Sequence, residues 1–182
     1  MSDTLKPYRM ITDFITGRSI PEMGAEANRQ AVERLLVETR GFAKEEIAVD
    51  VEMSFEVAGH PYRTWLDLVV SVEGARCMVI KCAAGSLGSW EREVLAAARL
   101  LDEKAQVPLA VVSDGKTAVV LDTVTGKTVG EGCSAIPSRD AAALQMRTLV
   151  PQPLAGARLN KERLIFRTYD TMAVNRARDI QA

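Results

Sequence analysis

The chain has 182 residues, 47% hydrophobic and 26% charged, with a formal net charge of −1. This is enough for one domain with a sizeable core but short for two, and it is too close to neutrality for bulk attraction to nucleic acid or an anionic membrane. Three cysteines without Cys-x-x-Cys spacing argue against a disulfide framework and a zinc site, and a lone histidine, His60, excludes a multi-histidine metal centre. The polar N-terminus does not read as a signal peptide, and no apolar run is long enough to span a bilayer, so a cytoplasmic protein without membrane contact is expected.

Residues 1–25 read as an irregular extension, broken by Pro7, Thr16-Gly17 and Pro21. From Glu26 to Arg40 the apolar positions Val32, Leu35 and Leu36 recur at helical spacing, and Gly41 supplies a stop. The period then becomes two. Ile47, Val49, Val51, Met53, Phe55 and Val57 alternate with polar or small residues, and so do Tyr62, Leu66, Leu68, Val70 and Val72, after a turn at Gly59-His60-Pro61. On this second strand Asp67 takes the opposite face, with Arg63, Trp65 and Val69. Residues 77–82 form a short apolar strand of the kind buried on both faces.

Ser89 is a candidate cap for a helix whose apolar face is Trp90, Val94, Ala97, Ala98 and Leu101. Pro108 resets the chain into a strand over 109–113. The strand–helix–strand step makes this strand parallel to 77–82. A further strand over 118–121 leads to a hairpin turn at Thr125-Gly126-Lys127. A helix over 138–149 capped by Ser138, a linker through Pro151, Pro153 and Gly156, and a helix over 160–178 complete the chain. The fold class is therefore α/β (α+β), a mixed sheet flanked by helices in the order αβββαββ. An α/β core at 26–132 carries a helical extension at 133–182 docked on it.

The helix–β–β–β–helix–β order resembles the PD-(D/E)XK, or restriction-endonuclease-like, fold. From about Arg29 to Asp122 the chain is similar to the N-terminal domain of type I restriction enzyme R subunits. The similarity rests on Arg29-Gln30-Ala31-Val32-Glu33-Arg34-Leu35-Leu36, Gly41-Phe42-Ala43-Lys44-Glu45-Glu46-Ile47-Ala48-Val49-Asp50-Val51, Leu66-Asp67-Leu68-Val69-Val70 and Ser113-Asp114-Gly115-Lys116, in this order and spacing. The resemblance implies that Asp67 is the metal-binding aspartate. The family's Glu-x-Lys falls on Lys81-Cys82-Ala83, so both functional residues of that strand are replaced. The helix positions that often carry glutamine and tyrosine are Glu93 and Ala97.

A lysine where a ligand carboxylate belongs contributes +1 where −1 is needed. At an effective dielectric of about 20, unit charges ~4 Å apart interact by ~4 kcal/mol, and reversing that sign costs several powers of ten in metal affinity. The first reading is that Lys81 pairs with Asp67 in the metal's place, and no cofactor is expected. The protein is then a catalytically impaired relative of a nuclease, a pseudoenzyme that binds DNA weakly or contacts other protein subunits. The rival reading is an active Mg2+- or Mn2+-dependent endodeoxyribonuclease, with Lys81 as catalytic lysine and the metal on Asp67 and a helix carboxylate, Glu26 or Glu33. A third is a purely structural or assembly module.

The plainer alternatives are an Asp67 bridged to Arg63 or Arg76, buried thiols at Cys77 and Cys82, and an ordinary connection at Gly85–Ser89, which lacks the Gly-Lys-Ser/Thr of a phosphate loop. Arg158, Lys161, Arg163, Arg167, Arg176 and Arg178 make the last stretch basic. If they share a face they supply weak, salt-sensitive DNA contacts; otherwise they are a solvated helix surface.

Overall fold

The computed structural model describes residues 8–171. Six strands form one mixed sheet in chain order: β3 (Ile47–Val57), β4 (His60–Val72), β5 (Ala75–Cys82), β6 (Leu109–Ser113), β7 (Ala118–Asp122) and β8 (Thr128–Glu131). All neighbours are antiparallel except β5 and β6, which α2 (Glu91–Leu100) joins as a parallel crossover. α1 (Glu26–Arg34), extended by a π-helical turn at Leu35–Thr39, and α3 (Arg139–Thr148) cover one face. Their Val32, Leu36, Ala142 and Ala143 pack with Leu68, Val70, Met78, Ile80 and Val111. α2 and α4 (Gly156–Thr171) cover the other, where Val94 to Ala98 and Phe166 meet Val69, Val79, Ala110 and Val112. The mixed α/β class and the order αβββαββ expected from the sequence are present.

Four details differ from expectation. The stretch before residue 25 contains a hairpin, β1 (Met10–Thr12) with β2 (Ser19–Pro21), where an irregular segment was expected. Pro21 is tolerated because a two-stranded ribbon consists only of edges. The turn at Gly126 leads into an additional strand, β8. Ser89 does not cap α2, which follows a 3-10 turn at Leu87–Trp90 and has no side-chain cap bond. α4 starts at Gly156, within the expected linker, and its expected continuation to 178 lies outside the described residues. Ser138 does cap α3, accepting from the Ala141 amide.

The β3–β4 hairpin changes the layer it faces. Ile47 and Val49 pack toward α1, whereas Val51, Met53 and Phe55 pack toward α2 and α4, although the alternation never breaks. The switch falls at Asp50, whose φ of +52° bends the strand as a bulge would. Asp50 stands opposite Asp67, between the pairs Val49–Leu68 and Val51–Leu66, so the bend lies beside the candidate site.

α4 is fastened by charge and by packing. Glu162 accepts from Arg92 at 2.9 Å and from Arg99 at 2.8 Å, Phe166 is 1% exposed and stacks edge-on against Phe55, and the Tyr62 hydroxyl donates to Asp170. Glu162→Ala is expected to cost about 2 kcal/mol in chemical denaturation, because Arg99 keeps only its bond to the Thr123 carbonyl and both guanidiniums lose a charged acceptor. An unchanged denaturation midpoint would show that the Glu162 ion pairs do not contribute to holding α4.

Candidate active site

Antiparallel pairing of Leu68 with Ile80 sets Asp67 directly across from Lys81 on adjacent central strands. Asp67 Oδ2 accepts the Cys82 backbone N–H at 2.9 Å, which orients the carboxylate along β5. Lys81 Nζ lies 3.7 Å from that oxygen and 3.1 Å from Glu93 Oε1 on α2. It also lies 4.9 Å from the centroid of the ring of Trp90, the last residue of the 3-10 turn that leads into α2. The three charged side chains are nearly enclosed, with exposures of 12% for Lys81, 11% for Asp67 and 4% for Glu93.

Arg63 and Arg76, the plainer partners considered for Asp67, are engaged elsewhere. Arg63 pairs with Glu52 at 4.0 Å and lies over Trp65, and Arg76 pairs with Asp102 at 3.9 Å.

The α1 carboxylates do not join the Lys81 cluster. Arg29 Nε and Gln30 Nε2 donate to Glu26 Oε1 at 2.9 and 3.0 Å. Arg29 also reaches Asp13 at 3.3 Å, Asp50 at 3.6 Å and Glu33 at 3.9 Å. Asp13 accepts from the amide and hydroxyl of Thr16 and from Gln30, which ties the β1–β2 hairpin to α1. Burial pushes the Asp13 carboxyl up, but these donors and Arg29 outweigh it and hold the group below its ordinary range. Glu33 is raised to about 8, first by burial and then by Asp13 and Glu26, against the attraction of Arg29. Glu26 and Glu33 are thus components of a separate polar network around Arg29.

Cys82 lies between the two networks. Its thiol is pushed well above its ordinary range by complete burial and then by Asp67, which makes it a packing residue and not a nucleophile. Cys77 is likewise buried and raised to about 12 by burial.

Residues 24–137 match the family described as type I restriction enzyme R protein N terminus, more than half of the chain. The chain belongs to that family. No curated protein and no solved structure matches it. The matched span runs from just before α1 to just after β8, so it contains Asp67, Lys81 and Glu93 and leaves out α3 and α4. Among the described residues no helix is long and apolar enough to cross a membrane.

The resemblance to PD-(D/E)XK enzymes would place a divalent metal at Asp67, the position beside which the Lys81 ammonium lies. Mg2+ wants oxygen ligands in a near-octahedral shell and retains several waters. Here an ammonium lies between the two carboxylates, in a site with little solvent access. Among the described residues no group of three or more histidine, cysteine, aspartate or glutamate side chains could hold a metal ion. Glu93 is the member of the cluster that sequence reasoning did not assign. On sequence it is an acid in the first turn of a helix, and the phase of that helix relative to Lys81 is set by packing on the sheet. Its three-residue spacing from Trp90 was the available signal.

Proposed function

We propose that this protein is a restriction-endonuclease-like domain whose metal site has been replaced by an internal ion triad, and that it binds nucleic acid without cutting it. The observation that carries this reading is the position of Lys81 Nζ, 3.1 Å from Glu93 and 3.7 Å from Asp67, where a PD-(D/E)XK enzyme needs a cation that it can bind and hydrate. An ammonium supplies one positive charge against the two carboxylates but no Lewis acidity and no ionisable bound water, so a water nucleophile is not activated there. Trp90 over the lysine adds to the closure, since the ammonium is held by two carboxylates and an aromatic face instead of pointing at a scissile phosphate.

A second reading is favoured by one observation. The cluster contains two carboxylates and a lysine, the charge inventory of a working site, with the second carboxylate on α2 at Glu93. In that case the protein is a divalent-metal-dependent endonuclease using Asp67, Glu93 and Lys81.

Titration with Mn2+ followed by electron paramagnetic resonance, with plasmid cleavage assayed in millimolar Mg2+ or Mn2+ at an ionic strength of about 0.15 M, separates the two readings. The expected results are no saturable Mn2+ site and no cleavage. Metal-dependent nicking that disappears in both Asp67→Asn and Lys81→Ala would establish the second reading.

A further inference from the structure

We infer that the solvent-facing side of α4 is a contact surface for the phosphate backbone of duplex DNA. This rests on the nucleic-acid reading above and adds the surface that serves it. The helix lies outside the family match. It carries four cations and two acids between Gly156 and Asp170, a mixture that on sequence alone suggests a solvated surface. Folding sorts them. Both acids turn inward: Glu162 is 7% exposed under Arg92 and Arg99, and Asp170 accepts from Tyr62. Arg158, Lys161 and Arg167 remain exposed, with Arg167 also lying 5.9 Å from the Tyr62 ring centroid. A chain of net charge −1 therefore presents one helix whose exposed charges are all positive. Arg163 is half-buried; it shares a recess with Asn160, Leu164 and the hairpin-tip residue Glu56, which moderates the potential on that flank.

The arrangement fits a phosphate backbone. At 1.5 Å per residue, Arg158 and Arg167 are separated by about 14 Å along the axis, or about four phosphates of one DNA strand at 3.4 Å each. The cations border a central band of Asn160, Leu164 and Thr168, so they bracket a ridge of backbone instead of presenting one point of charge. An anionic membrane is a poorer match. An interfacial helix needs an apolar face free for lipid, and Ile165 and Phe166 of α4 are packed into the core. The same helix packs on α2, the element that carries Glu93, so the proposed DNA surface is on the side of the sheet that holds the ion triad.

The test uses the full chain, a fluorescein-labelled 20-base-pair duplex and anisotropy between roughly 50 and 200 mM NaCl, the range over which phosphate contacts show their salt dependence. Arg158→Gln/Lys161→Gln/Arg167→Gln is compared with wild type. Arg158→Gln/Lys161→Gln, which spares the Tyr62 contact, controls for folding alongside a thermal melt. The triple variant is expected to bind about tenfold or more weakly near 100 mM salt, with the slope of log K against log salt reduced by about 2–3; the double variant should show part of both effects. Wild-type binding that both variants retain, with an unchanged slope, overturns the assignment to α4 and leaves the nucleic-acid reading standing. Absence of wild-type binding even at the lowest salt overturns both. Binding to phosphatidylserine–phosphatidylcholine vesicles without binding to the duplex also overturns the inference, in favour of a membrane surface.

Discussion

Replacing Lys81 with methionine is expected to destabilise the domain by about 3–5 kcal/mol near neutral pH, the usual loss when one partner of a buried ion pair is removed and its counter-charge is left behind. Methionine matches the length and apolar stem of lysine, so the loss reports the missing ammonium and not a cavity. Asp67 retains its bond from the Cys82 amide, whereas Glu93, 4% exposed, loses the ammonium 3.1 Å away. Two further measurements identify the triad as the cause. Adding Glu93→Gln to Lys81→Met should recover most of the lost stability, because only the hydrogen-bonded Asp67 charge then remains; this coupling is what a double-mutant cycle detects. Millimolar Mn2+ or Ca2+ should raise the melting temperature of Lys81→Met and leave wild type unaffected, since a ligand stabilises only through the site it occupies. Losses for Lys81→Met and Glu93→Gln that add independently, with no cation effect, would mean that the three groups do not act as one unit.

The difference between what was legible in the sequence and what was not follows the range of the interactions. Strand alternation over 47–57 and 62–72 is local, and it is visible because one face of each strand must be buried. The pairing of Asp67 with Lys81 was expected from the family resemblance, and it is realised by the register of two adjacent antiparallel strands, a short-range constraint. The position of Glu93 depended on how α2 lies on the sheet, which spacing along the helix cannot state. The bend at Asp50 was hidden for a different reason. A left-handed aspartate leaves the hydrophobic alternation unbroken, and only the layer receiving the side chains changes. The β1–β2 hairpin was missed because three-residue strands carry almost no periodic signal. Its anchor is a set of side-chain bonds, from Thr16 and Gln30 to Asp13 and from the Phe14 amide to Gln30. The inward turn of Glu162 depended on Arg92 and Arg99, 70 and 63 residues earlier in the chain.

Glu33→Gln is expected to make the protein more stable, with a gain that depends on pH. Glu33 is wholly buried, and its carboxyl is raised from 4.5 to about 8 by burial and by Asp13 and Glu26. Between those values the folded protein keeps a proton that the unfolded chain releases, so stability falls as pH rises. The favourable contribution is complete below about 4.5 and is lost once the pH passes about 8. At 1.36 kcal/mol per unit the full loss is on the order of 4–5 kcal/mol. Glutamine removes the titration and fills the same volume. Wild-type stability in urea should therefore decline from pH 5 to pH 8.5, while the variant declines much less, and the two curves should separate most at the alkaline end. Asp13 contributes the opposite slope at the acid end, because its lowered pKa adds stability above its ordinary titration that is lost as pH falls through the folded value. Since Asp13 also holds the β1–β2 hairpin on α1, ionising Glu33 beside it should loosen that hairpin first. Amide exchange at Phe14 and Thr16 should then accelerate above pH 8 by more than the intrinsic rate in wild type, and by no more than the intrinsic rate in Glu33→Gln. Parallel stability curves for the two proteins would show that Glu33 is already ionised in the folded state, with Arg29 holding its charge across the 3.9 Å gap.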